Sequence, residues 1–399
     1  MIALLFGTYN SRHAANSLLA SDLRAAGFEV RECHEPLWEA TRDKDAPYFA
    51  PLGLARLALR YLAAAARLAR RFPASARGAS LVVAGFNGQL DVLLARALAG
   101  GRRVLFAPLV TVSETLIDDR ATYRDGTLAG RLLRALDRRT LAAADVVLID
   151  TAAHRDYLIA RLGAEPARVV VQYLGAEPAF AAAEAAGDAA GEADVANATD
   201  VASAARPLRV LGYSQYLPLH GNEVIAQAAR LLTDDPSIAF ELVGTGPERA
   251  RVEPLLRALP NVTLVDWVPY EELPARIAAA DVALGVFGTT DKARMVIPNK
   301  VYQAAQVGRA IVTADTPAIR EVFVHGESAW LVPPEPRALA DALLRLARDP
   351  DLRARLGRGA RSAVERAAGP AVRAERLRAA LAQRGLVAAA APLVEGVAS

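Results

Sequence analysis

Short apolar runs alternate with longer amphipathic stretches along the first part of the chain. Up to about residue 175, each strand-length run is followed by a segment in which leucine and alanine recur at helical spacing. The runs that we interpret as strands are 2–6, 28–30, 81–84, 104–106, 146–149 and 169–173. Strands that alternate with helices predict an α/β domain with a parallel sheet.

The alternation stops at residues 181–205, which contain no aromatic residue and few large apolar ones, and which we predict to be a disordered or weakly helical linker. It restarts with strands at 208–212, 239–243, 262–265, 282–286 and 310–312. We therefore predict two doubly wound domains with a ligand cleft at the carboxyl ends of their strands. The predicted parts are 1–175, a linker at 176–206, 207–365, and a C-terminal helix and tail at 366–399.

The composition is that of a globular protein with two cores, and it argues against several classes of structure and function. The 399 residues are 53% hydrophobic and 23% charged, without an apolar run long enough to span a membrane. The N-terminal apolar run has strand length, so we expect a cytoplasmic protein. The single cysteine, Cys33, excludes an internal disulfide and a cysteine metal cluster, and we expect a packed thiol. The thin, scattered basic excess does not indicate nucleic-acid binding.

Residues 52–72 form a basic amphipathic segment in which arginines are interspersed with leucines and alanines. Such a helix can lie on an anionic membrane surface, and it can equally be a surface helix with one buried face. The sequence leaves both interpretations open.

Two of the three lysines, Lys292 and Lys300, lie close together near a predicted helix start. Pro298 can open a helix that runs from Lys300 to Val307. Backbone N–H groups, the positive helix end and basic side chains then converge, which favours a phosphate ligand. The alternative is that both lysines are ordinary surface charges.

Common catalytic signatures are absent from the sequence, including the P-loop, the HExxH zinc motif and the GxSxG elbow. Gly7 ends the first strand without dinucleotide spacing. Gly244 and Gly246 follow a strand, but Arg249 stands where a third dinucleotide-binding glycine belongs. A dehydrogenase is therefore disfavoured.

Five loops of the second half carry an ordered set of motifs, which are VGTGP, WVPYEELPARIAAADVALGVF, IPNKVYQAAQVGRAIVTAD and the segments that flank them. This set, over about residues 208–360, resembles the donor domain of retaining GT-B glycosyltransferases of the group-1 class, also called family four. The first half resembles one bacterial branch of that class more loosely, through PLVTVSETLIDDRAT and DTAAHRDYL. The resemblance implies two facing Rossmann-like domains, a nucleotide-sugar in the cleft, no metal or other cofactor, and transfer with retention.

The resemblance also implies positions for the donor site. The positions so implied are Gln215, His220, Gly221, Gly244, Gly246, Trp267, Val268, Pro269, Lys292, Arg294, Asn299, Lys300 and Gln303. Gln215, His220 and Gln303 stand where many members have arginine, lysine and glutamate, respectively. Because a diphosphate leaving group needs positive charge or N–H donors, our hypothesis is that Lys292, Arg294 and Lys300 compensate for the missing charge.

On the acceptor side, the loop after the first strand and the loop after the fourth are the candidates. The residues are Gly7, Asn10, Arg12, His13, Asp118, Asp119 and Arg120. Many members carry a histidine in the second of these loops, and this sequence has none there. Glu114 is the best carboxylate candidate for catalysis, although a helix-cap role fits equally. We interpret Arg320 and Glu321 as a surface pair.

The expected function is transfer of a sugar from a UDP- or GDP-linked donor to a saccharide or lipid-linked acceptor, in cell-envelope or exopolysaccharide synthesis. Three losses of charge keep open a catalytically silent homologue that binds sugar or nucleotide or acts as a partner subunit. A nucleotide-sugar epimerase on the same fold is disfavoured because the acid and base residues that it needs cannot be assigned. Peripheral contact with the inner face of a membrane remains open through residues 52–72.

Overall fold

The computed structural model describes residues 1–38, 51–182 and 206–387. Most of the predicted linker at 176–206, and the end of the predicted tail at 366–399, lie outside the described residues. The described chain forms two domains, each built around a six-stranded parallel sheet. The predicted two-domain α/β architecture is confirmed.

The first domain has the strand order β2-β1-β3-β4-β5-β6. Its strands are β1 (Ile2–Gly7), β2 (Glu29–His34), β3 (Ala79–Ala84), β4 (Arg103–Phe106), β5 (Val146–Ile149) and β6 (Val169–Val171). Its helices are α1 (Ala14–Ala25), α2 (Pro51–Ser75), α3 (Gln89–Leu98), α4 (Leu128–Ala143) and α5 (Ala152–Leu162). Helices α2, α3 and α4 lie side by side on one face of the sheet, and α1 covers the other.

The second domain has the strand order β12-β11-β10-β7-β8-β9. Its strands are β7 (Leu208–Tyr213), β8 (Ile238–Val243), β9 (Val262–Val265), β10 (Val282–Leu284), β11 (Ala310–Ala314) and β12 (Trp330–Val332). Its helices are α6 (Asn222–Leu231), α7 (Arg249–Leu256), α8 (Leu273–Ala279), α9 (Asp291–Met295), α10 (Asn299–Gln306), α11 (Pro336–Arg348) and α12 (Pro350–Ala368). The sequence analysis did not predict β12, a three-residue strand that ends directly before Pro333 and Pro334.

The C-terminal helix α13 (Pro370–Ala382) returns to the first domain. Gly369 and Pro370 separate it from α12, which packs on the second domain. Leu377 and Leu381 are buried against the first sheet, and the Arg373 guanidinium lies 3.0 Å from the buried Asp22 carboxylate. The end of the chain therefore ties the two domains together.

The buried strands lie where the alternation of apolar runs and amphipathic segments predicted them. The strands β1, β3, β4 and β5 are buried on both sides, as expected for parallel strands covered by helices. Cys33 is completely buried, which confirms the packed thiol. The strand order reverses between β1 and β3 in the first sheet and between β7 and β10 in the second. Ligands of open α/β sheets bind at the carboxyl ends of strands at such reversals.

Candidate functional site

The loops after β7 and β10 meet at the reversal of the second sheet. The Phe287 N–H donates to the His220 carbonyl at 3.0 Å, and the Gly288 N–H donates to the Leu219 carbonyl at 3.1 Å. Gly221 has φ of +63°, and a Cβ there would lie 2.2 Å from the carbonyl carbon of Phe287. Glycine is therefore required where the two loops touch.

Lys300 lies in the first turn of α10, directly beyond these loops. Its side chain is buried at 7% exposure. Burial lowers the pKa of Lys300 to about 7. Within the described residues, its ammonium makes no hydrogen bond or ion pair. A buried cation without an acidic partner marks a place where an anion would be stabilised.

His220 is buried beside this lysine. Its Nδ1 accepts a hydrogen bond from the Leu217 N–H at 3.2 Å, so the neutral ring carries its proton on Nε2. Burial, followed by the charges of Lys300 and Lys292, holds the pKa of His220 well below its usual value. His220 is therefore a neutral N–H donor rather than a second cation.

The remaining donor-side candidates differ in exposure. Gly244 and Gly246 have positive φ and lie against the backbone of Ser214 and Gln215, where a Cβ would clash with carbonyl oxygens. Gln215, Trp267 and Arg294 are exposed, Pro269 and Asn299 are half-buried, and Val268 packs in the core of the second domain.

Gln303 is buried in a polar cluster that reaches the segment joining the domains. The Tyr213 hydroxyl donates to its Oε1 at 3.0 Å, and its Nε2 donates to the Tyr270 oxygen at 2.7 Å and to Glu177 at 3.2 Å. The Tyr270 hydroxyl also donates to Glu177. A carboxylate thus lies next to Gln303, the position where the resemblance implies a glutamate in many members.

Lys292 is directed at the first domain. Its ammonium donates to the Thr115 hydroxyl at 3.1 Å and lies 3.6 Å from Glu114. Glu114, at the start of a π-helical turn, also contacts Nε2 of His154 at 2.9 Å. Nδ1 of His154 contacts Asp150 at 2.7 Å. Acidic and basic groups therefore alternate in one buried row.

Each charged group in this row stabilises the charged form of its neighbour. Although burial favours the neutral form of Glu114, the charges of His154 and Lys292 lower its pKa to about 2. Although burial opposes a charged imidazole, Glu114 and Asp150 raise the pKa of His154 to about 10. At neutral pH the row contains an imidazolium next to an ionised carboxylate.

The structure adds one residue that the sequence analysis missed and corrects one interpretation. The loop after β4 does have a histidine beside it, because His154 comes from α5, 40 residues further along the chain. Asp150 directly after a buried strand, with His154 one turn later, was the available signal. Glu321 is not part of a surface pair, since it accepts hydrogen bonds from the N–H groups of Ala152 and Ala153 at 2.7 and 2.8 Å. Arg320 is exposed and pairs with Asp315.

The acceptor-side candidates lie in two groups. Four candidates lie at the reversal of the first sheet. Gly7 has a positive φ and lies against Asp91. Asn10 and His13 are half-buried, and Arg12 is exposed. After β4, Asp118 is held by Arg134, Asp119 accepts from the Thr290 hydroxyl at 3.1 Å, and Arg120 is half-buried. Glu114 is completely buried, so it faces its partners rather than solvent.

In the described part of the chain, no group of three or more His, Cys, Asp or Glu residues has the arrangement of a metal site. No helix of residues 1–38, 51–182 or 206–387 is long and apolar enough to cross a bilayer.

Both domains match known families. Residues 13–175 match the family described as "Glycosyl transferase 4-like domain", and residues 209–349 match "Glycosyl transferases group 1". Together the matches span most of the chain. They support the glycosyltransferase class.

Individual relatives are more distant. A segment of 147 residues is 29% identical to amylovoran biosynthesis glycosyltransferase AmsK of Erwinia amylovora and covers 35% of this chain and 36% of that relative. The match thus spans about a third of that protein. Sucrose-phosphate synthase from Thermosynechococcus elongatus superposes with a TM-score of 0.68 at 19% identity, over 96% of this chain and 98% of the other. HepE of Anabaena in complex with UDP-glucose gives a TM-score of 0.65 at 15% identity, over 96% and 100%. At such identities these structures show the two-domain GT-B fold alone.

Proposed function

We propose that this protein, whose two halves match the domains of group-1 glycosyltransferases, transfers a sugar from a nucleotide-sugar donor to a saccharide or lipid-linked acceptor. The proposal is carried by Lys300, a buried ammonium without an acidic partner in the described residues, located where the strand order of the second sheet reverses. A donor diphosphate would supply the missing counter-charge. The His220 N–H and the loop N–H groups would share in holding it.

A UDP-linked donor is favoured over a GDP-linked one. HepE, which shares the fold, was solved in complex with UDP and with UDP-glucose. We expect no cofactor and no requirement for a metal ion, because Lys300 and neutral N–H donors can stabilise the leaving diphosphate.

We propose transfer with retention at the anomeric carbon. Glu114 is fully buried and paired, so it is not available as a nucleophile in this arrangement. In a same-face reaction, the acceptor oxygen bonds to the anomeric carbon as the bond to the diphosphate breaks, and the acceptor proton passes to the leaving phosphate oxygen. The donor-side cation then stabilises the charge that develops on the diphosphate.

The acceptor belongs to cell-envelope or exopolysaccharide glycan synthesis in this proposal. AmsK, which is similar over about a third of its length, is named for amylovoran biosynthesis. We place the reaction in the cytoplasm or at the inner face of a membrane.

The test is a thermal-shift series with UDP, GDP, ADP and their sugars, with NAD as a control, in EDTA and in magnesium. We expect stabilisation by one nucleotide family in EDTA, followed by slow release of that nucleotide from its sugar. Absence of a shift with every nucleotide would contradict the proposal. A shift without any release or transfer would instead favour the catalytically silent homologue.

A further inference from the structure

The outer face of the helix layer in the first domain exposes large apolar side chains. Leu54, Leu59 and Leu62 of α2 are 50%, 68% and 63% exposed. Leu128 and Leu132 of α4 are 75% and 62% exposed. Three of these leucines lie on α2 and two on α4, the helices that flank α3 in this layer, so neither group is the single exposed apolar residue that is normal on protein surfaces.

The same helices carry several exposed arginines. Within the described residues, the exposed arginines without an acidic partner are Arg56, Arg60 and Arg70 on α2 and Arg131, Arg138 and Arg139 on α4. The acidic residues of α2, α3 and α4 are Asp91 and Asp137, and both are buried. Positive charge on these three helices is therefore not neutralised by carboxylates of the same helices.

The exposed leucines and some of the arginines share one end of the face, and the other arginines lie towards the opposite end. The leucines lie in the N-terminal halves of α2 and α4, whereas Arg70, Arg138 and Arg139 lie towards the C-terminal ends. Because a helix that follows a parallel strand begins near the carboxyl end of that strand, the leucines are near the edge of the sheet that carries the cleft loops.

We propose that this face of α2 and α4, with its leucines and arginines, docks on the surface of an anionic phospholipid bilayer. Arginines attract the phosphate headgroups, and leucines enter the boundary between headgroups and acyl chains. The leucines distinguish a bilayer from other polyanions, because a nucleic acid would use the charges without them. Docking would hold the mouth of the cleft at the bilayer, where a lipid-linked acceptor resides. The inference does not depend on the proposed reaction, since docking is measured without donor or acceptor.

The test is co-sedimentation of the full chain with vesicles of phosphatidylcholine containing phosphatidylglycerol, and with phosphatidylcholine alone. We expect binding to the anionic vesicles that weakens with added salt. The triple variant R56Q/R60Q/R70Q should bind about fivefold more weakly per arginine, or about a hundredfold in total. A triple variant at exposed arginines of the second domain, R337Q/R355Q/R358Q, should bind as the wild type does.

The apolar contribution is tested by L59Q/L62Q against the control L231Q/L255Q, which changes exposed leucines of the second domain. We expect the first pair alone to lose at least tenfold in vesicle affinity, with unchanged thermal midpoint and nucleotide response. Failure of the wild type to bind anionic vesicles would overturn the proposal. So would losses that were equal in test and control variants, or binding that depended on the arginines but not on Leu59 and Leu62.

Discussion

The Lys292 ammonium lies 3.6 Å from the Glu114 carboxylate, although one residue belongs to the second domain and the other to the first. The same ammonium donates to the Thr115 hydroxyl at 3.1 Å. Lys300, at the start of the next helix, has no acidic partner in the described residues. The two lysines therefore differ in electrostatic state, and our sequence-based hypothesis that Lys292, Arg294 and Lys300 compensate for the charge missing at the diphosphate stays a prediction.

The contact between Lys292 and Glu114 predicts energetic coupling across the domain boundary. Lys292→Met and Glu114→Gln should each lower the free energy of unfolding by about 1–3 kcal/mol, because each removes one charge from the buried row. The double variant should lose less than the sum, with a coupling of about 0.5–3 kcal/mol. Urea denaturation of the four proteins measures this quantity.

Arg294→Met is the matched control, because Arg294 lies on the same helix and is exposed. It should change stability by less than about 0.5 kcal/mol. Additive effects of Lys292→Met and Glu114→Gln would show that the contact does not join the domains.

The imidazolium of His154 predicts a pH-dependent contribution to stability. Since Glu114 and Asp150 raise its pKa in the folded protein to about 10, from about 6.5 when unfolded, the folded state holds an additional proton between these values. Its stabilisation is complete below about pH 6.5 and is lost as pH rises through about 10, at up to about 1.4 kcal/mol per pH unit.

The measurement is the difference in unfolding free energy between wild type and His154→Gln from pH 6 to 10, by urea denaturation. We expect the difference to shrink as pH rises. Leu158→Ala, at a buried apolar position of the same helix, should give a difference that does not vary with pH. A constant difference for His154→Gln would show that the ring is neutral.

Gly221 predicts a steric requirement where the loops after β7 and β10 touch. Gly221→Ala should destabilise by more than about 2 kcal/mol, because it adds a clash with the Phe287 backbone to the strain of φ +63°. Gly326→Ala is the comparison, since φ is +77° but no atom lies within 4 Å of the added Cβ. It should cost about 1 kcal/mol from strain alone. Equal losses in thermal unfolding would show that the loops can separate freely.

The fold was predictable because its central strands are buried on both faces and therefore appear in the sequence as continuous apolar runs. The run at 146–149 gave β5 with the correct ends, and Pro298 and Gly308 bracketed α10 to within a residue. The strand β12 was not predicted, because it spans only three residues and is followed directly by Pro333 and Pro334.

The contacts between domains were not predictable from local pattern. His154 and Glu114 are 40 residues apart, and Glu321 caps α5 from 168 residues away. Such pairs depend on how the two sheets are oriented, which neither hydrophobic periodicity nor turn residues specify. The motif order did identify the loops at the sheet reversal, but it gave no indication of which lysine has its charge compensated.

The central claim is that Lys300 is the cation that binds the donor diphosphate. Calorimetric titration of UDP into the wild type at pH 8, in buffers of different ionisation enthalpy, tests it most directly. Because the pKa of Lys300 is about 7 without ligand, UDP binding should draw in about 0.9 proton at pH 8, and affinity should fall about tenfold per pH unit above pH 7. Lys300→Met should abolish the proton uptake and weaken UDP binding by about 10- to 100-fold, whereas Lys300→Arg should retain most of the affinity. Unchanged affinity and unchanged proton uptake in Lys300→Met would contradict the account.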